Sequence, residues 1–93
     1  MDDRVLYLID LINDDLGYQD INCELGNDYQ LDFIGEHISV SVTVGFRYDE
    51  IVFQDMKIRG NDYIWVADSK YILQELKIIF DVLDNYNGSI LQM

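Results

Sequence analysis

Hydrophobic positions recur along this chain with two different periods. At both ends they return every three or four residues, and in the middle every second one. Near the start, Val5, Leu8, Ile9, Ile12 and Leu16 fall on one face at about 100° per residue. That predicts a helix capped by Asp2 or Asp3 and ended by Gly17. Asp3, Tyr7, Asp10 and Asp14 fall within about 60° of one another on its opposite face. A second helix is predicted from Asp68 or Ser69 to about Tyr86, with Ile72, Leu76, Ile79, Phe80 and Leu83 as its apolar stripe. Asn87-Gly88 ends it, and the tail Ser89 to Met93 is apolar enough to dock back.

The middle alternates. Ile38, Val40, Val42 and Val44 are interleaved with Ser39, Ser41 and Thr43, a half-buried strand central to a sheet. Before it, Ile21, Cys23 and Leu25 share one side of a strand over Asp20 to Leu25, and Gly26-Asn27-Asp28 turns the chain. Tyr29, Leu31 and Phe33 form the next strand, joined by Gly35-Glu36 to the central one. Gly45 to Glu50 is expected as a looser polar turn. A strand over Ile51 to Arg59 follows, its phase slipping near Gln54-Asp55 as a β-bulge would make it slip. Arg59 to Asp62 turns into a short fifth strand over Tyr63 to Val66.

The resulting expectation is a single α+β domain over residues 1–93, with an N-terminal helix, a four- or five-stranded antiparallel sheet and a C-terminal helix. Both helices cover one face of the sheet, leaving Ser39, Ser41 and Thr43 facing water. No apolar run approaches the length of a membrane span, and no signal-peptide pattern precedes the first one, so a cytoplasmic protein is expected. Cys23 has no partner for an internal disulfide, which fits a reducing compartment. In that setting Asn87-Gly-Ser89 is a chance glycosylation match.

Charge changes the picture. Eighteen acids against six bases leave −12, beyond the magnitude of roughly 2–8 that keeps a small domain soluble. The excess is uneven: residues 1–36 carry ten acids and Arg4, for −9, and the remainder eight acids and five bases, for −3. Such a field repels nucleic acid and anionic membranes and attracts basic surfaces. Asp14 and Asp15 stand at the C-terminal end of the first helix, where acids are unfavourable by about 0.3–1 kcal/mol each.

Catalytic and metal-binding patterns are not evident. His37 is the only histidine, expected as a surface or turn residue, and Cys23 as a small buried hydrophobe. Asp28, Asp32 and Glu36 lack the calcium-loop spacing, and no glycine-rich phosphate loop exists. Lys57 and Arg59 with Tyr63 and Trp65 are too few cations for a nucleic-acid platform. No enzyme activity and no cofactor are therefore expected.

In size, cysteine poverty, negative charge and helix–sheet–helix order, the chain resembles the small acidic phage-encoded inhibitors, anti-CRISPR proteins and nucleic-acid mimics. The resemblance carries no motif and so assigns no residue. It implies a competitive inhibitor in the host cytoplasm, whose carboxylates stand in for phosphates on a basic nucleic-acid-binding protein. The surface expected to do this comprises Asp3, Tyr7, Asp10, Asp14, Asp15, Asp20, Glu24, Asp28, Asp32 and Glu36. The first helix offers three carboxylates over about 16 Å, against a charge about every 1.7 Å along duplex DNA, enough for a patch of backbone. An immunity protein against a basic nuclease toxin, or a small homo-oligomeric assembly protein with incidental charge, are the alternatives. Either a monomer or a homodimer is compatible with the sequence.

Overall fold

A computed structural model of the protein describes residues 2–61 and 68–93. Its elements are α1 (Asp3–Leu16), β1 (Asn22–Leu25), β2 (Gln30–Ile34), β3 (Ile38–Arg47), β4 (Glu50–Gly60) and α2 (Ser69–Tyr86). The strands form an antiparallel meander in the order β1-β2-β3-β4. This is the expected α+β class, with two helices and a four-stranded sheet. The fifth strand expected over Tyr63 to Val66 lies outside the described residues.

α1 forms as its pattern dictates. Asp2 precedes it in extended backbone and accepts from the Arg4 backbone N–H at 3.0 Å, and Gly17 closes it at φ 56°. Val5, Leu8, Ile9, Ile12 and Leu16 are all buried. They meet Cys23, Leu31, Phe33, Ile38, Val40, Val42, Val44 and Ile51 from the sheet, and Ile79, Val82 and Leu83 from α2, in one core.

The sheet departs from expectation at two places, Gly45 and Ser39, and carries the expected bulge between them. Gly45 does not begin a turn: it stays in the ladder opposite Val52, with Phe46 opposite Ile51 and Arg47 opposite Glu50, leaving Tyr48-Asp49 as a two-residue hairpin loop. Phe46 is held in line because it packs against the core and beneath the Arg4 guanidinium, 4.2 Å from the ring centre. The bulge in β4 is present, since Ser41 faces Lys57 while Thr43 faces Gln54, so Asp55 and Met56 together oppose Val42. It returns Ile58 to the core side opposite Val40, yet Met56 and Ile58 remain 47% and 49% exposed, because no described helix covers this end of the strand. Finally, Ser39 does not face water. It is buried, and its hydroxyl donates to Asn61 Oδ1 at 2.8 Å while Asn61 Nδ2 donates to the Gly35 carbonyl at 2.9 Å.

α2 keeps Ile72, Leu76, Ile79 and Leu83 of its predicted stripe against the core, but its inner arc turns toward Glu75 and Val82 and away from Phe80. Glu75, Ile79, Val82 and Leu83 are its buried residues, and Phe80 is 38% exposed. The helix packs against α1 as well as the sheet, which turns Val82 inward and leaves Phe80 at the rim. Beyond it the tail docks along the start of β4: Ile51 N donates to the Ser89 carbonyl at 2.9 Å, Leu91 N to the Asp49 carbonyl at 2.8 Å, and the Leu91 side chain is buried.

Candidate functional site

Helix geometry and the sheet pleat divide the expected acidic surface into separate groups. With the apolar face of α1 pressed on the sheet, Asp3, Asp10 and Asp14 project outward and are exposed. Tyr7, expected on the same surface, is only partly accessible and packs against the core from the flank of the helix. Asp15 is exposed and accepts from the Tyr86 hydroxyl at 2.6 Å, tying α1 to α2. Burial, and then that carboxylate, push the Tyr86 phenol up to about 12.

Glu24 and Asp32 lie on the opposite side of the molecule. Cys23 and Phe33 point into the core, so their neighbours Glu24 and Asp32, paired across β1 and β2, share the outer face of the sheet. Like charges placed directly opposite one another are destabilising. Asp32 is steadied by Gln30 Nε2 and the Ser41 hydroxyl, each donating at 2.8 Å. Asp28 is exposed in the β1–β2 turn. Asp20 and Glu36 come together at the end of the sheet, around a pocket of about 170 Å³ that also takes in His37, Tyr71 and Glu75. Asp28, Asp32 and Glu36 do not converge, and no described cluster of three or more His, Cys, Asp or Glu is placed to hold a metal.

None of the carboxylates in the expected surface has an ion-pair partner among the described residues. Arg4 is engaged by Asp2 at 2.8 Å and Asp49 at 3.5 Å, and Lys77 by Asp81 at 2.9 Å. The Arg4 hydrogen bonds hold the Asp2 carboxyl down to about 2. Lys57 and Arg59 stand opposite Ser41 and Ser39 on the outer face, away from α1.

His37 does sit where a turn enters β3, but it belongs to a built junction. Its Nδ1 lies 2.5 Å from Glu75 Oε2, and its backbone N–H donates to Glu75 Oε1 at 3.0 Å. Ile38 N also points at Oε1, at 3.4 Å. The His37 ring stacks on Tyr71 with centroids 5.6 Å apart and planes 9° from parallel. The hydrogen bond to Glu75 raises the imidazole pKa above its ordinary value, with the charges of Glu75, Glu36 and Asp68 adding and desolvation opposing. Gly35 is required beside this carboxylate, since a Cβ there would collide with Glu75 Oε1. The arrangement locks α2 onto the β2–β3 hairpin.

On the other helix, Asn13 does similar work, donating to the Cys23 carbonyl and accepting from Cys23 N–H, both at 2.9 Å, as a neighbouring strand would. The Cys23 thiol is buried and pushed up to about 12, chiefly by desolvation, which makes it a packing group rather than a nucleophile. Both Asn13 and Glu75 were missed from sequence, although each is a polar residue inside an apolar arc. That interruption was the available signal.

No family model, no curated protein and no solved structure matches this chain. Among the described residues, no helix is long and apolar enough to cross a membrane.

Proposed function

We propose that this protein is a binding inhibitor, not an enzyme, which occupies a basic nucleic-acid-binding site on a partner protein in the cytoplasm. The observation that carries this reading is the outward face of α1, where Asp3, Asp10 and Asp14 are exposed and lack any described ion-pair partner. A protein that needed acids only for solubility gains nothing from Asp14 and Asp15 at a helix C-terminus with no base in its last turn. The contact patch is α1 together with Asp20 and Glu36 beyond its end, and Glu24 and Asp32 add to the long-range field from the other side. The partner's lysines and arginines take the place that Arg4, Lys57 and Arg59 cannot.

The experiment is competition. With a basic nucleic-acid-binding partner identified by capture from the native host, labelled nucleic acid is bound to it and the protein titrated in. Full displacement, with an apparent affinity that weakens steeply as salt rises, is the expected result, because exposed charges are screened within about 8–10 Å at physiological ionic strength. A ternary complex in which nucleic acid stays bound would overturn the reading.

A further inference from the structure

A second surface lies on the far side of α2 from α1, where the helix end is tied to β4 by Phe53 N donating to Asn87 Oδ1 at 3.0 Å and a gap opens beside that bond. This gap is a groove of about 340 Å³ lined by Val42, Phe53, Met56, Phe80 and Leu83, with Asp55 and Asp84 on its rim. Its floor reaches the buried core at Val42, which is 1% exposed, while Met56 and Phe80 on its walls are 47% and 38% exposed. The groove follows from the bulge expected in β4 together with the orientation of α2. The β4 bulge spreads Asp55 and Met56 over the space of one residue, and the rotation of α2 leaves Phe80 pointing along the rim.

The charge at this mouth is of one sign. Asp55 lies beside the opening with its backbone in the left-handed region at φ 54°. Asp84 lies in the last turn of α2, which contains no base, so the helix end adds its own negative potential. The cations nearest in sequence, Lys57 and Arg59, are paired opposite Ser41 and Ser39 and belong to the other face of the sheet. We propose that this groove receives an apolar side chain flanked by lysine or arginine, presented by a basic segment of a partner protein. The apolar residue fills the space between Phe53, Met56 and Phe80, and the flanking cations meet Asp55, Asp84 and the carbonyl end of α2. The proposal stands apart from the α1 reading, since it concerns another face and other residues.

The test uses the full chain and two peptides of equal charge, Lys-Lys-Phe-Lys-Lys and Lys-Lys-Ser-Lys-Lys, followed by amide and methyl NMR shifts. The phenylalanine peptide is expected to bind about tenfold more tightly and to move Phe53, Met56 and Phe80 signals. Phe80→Ala and, separately, Met56→Ser should each remove that advantage while leaving the weak, charge-driven binding of the serine peptide unchanged. Asp55→Asn should weaken both peptides at the groove. Equal affinity for the two peptides, shifts confined to α1, or a groove closed by self-association in sedimentation would each overturn the proposal. Loss of the phenylalanine advantage leaves the α1 reading untouched, and shifts confined to α1 would overturn the groove while supporting that reading, so the two surfaces fail or stand separately.

Discussion

The two helices of this protein obey the same amphipathic rule with different fidelity. α1 buries each residue of its predicted stripe and exposes each of its stripe acids. α2 has an equally plain pattern, yet it buries a glutamate and leaves Phe80 at the rim. The difference lies in what each helix meets. α1 docks chiefly over β1, with Asn13 grasping the Cys23 backbone, and meets α2 along one flank, so the strand contact dominates the choice of its inner face. α2 meets β3, α1 and the β2–β3 hairpin at once, and a buried carboxylate wins a core position because two backbone N–H groups and an imidazole need an acceptor there. An apolar moment therefore locates a helix's inner face when one partner decides it, and only approximates it when three do.

Substitutions can break this contrast. Ile12→Ala in α1 removes a fully buried side chain, and a loss of about 2–5 kcal/mol is expected in urea unfolding. Phe80→Ala, at an equally apolar position of α2, should cost less than about 1 kcal/mol. Similar losses at both positions would mean that α2 is not rotated as described. Glu75→Ala should be next in size, at about 1–3 kcal/mol, because it orphans the His37 and Ile38 amides. Gly35→Ala should destabilise by the same route, through its collision with Glu75.

A smaller effect sharpens the same point through pH. The folded state raises the His37 pKa above its ordinary 6.5. Its contribution is thus fully present below that ordinary value and is lost as pH rises through the folded value. Stability should decline across that window in the wild type, and Glu75→Gln should flatten the decline, as read by denaturant midpoints over a pH series. A wild-type profile that rises through the same window would contradict the junction.

Much of the fold was legible because its signals are local. The period of Ile38 to Val44, the stripe of α1 and the phase slip at Gln54-Asp55 each follow from neighbours a few residues apart. What the sequence did not show depends on distant pairs. Gly45 looks like a breaker until Val52 stands opposite it, and Ser39 looks wet until Asn61 covers it. His37 looks idle until Glu75, 38 residues away, reaches it. The acidic surface was legible as composition and only partly as geometry: helix phase places Asp3, Asp10 and Asp14 together and strand alternation turns Glu24 and Asp32 outward, whereas only strand pairing reveals that those two stand directly opposite one another.

α1 folds with one face, and in the proposed function it recognises a basic partner with the other. Asp10 and Asp14 contribute nothing to the core, so converting both to lysine should leave the thermal midpoint level. It could rise slightly, since a cation at a helix C-terminus gains about 0.3–1 kcal/mol. The direct measurement is the affinity of that Asp10→Lys, Asp14→Lys double variant for the partner displaced from nucleic acid, at low salt, beside the wild type. A loss of about a hundredfold or more, with the fold intact, is the expected result. An affinity equal to that of the wild type would contradict it.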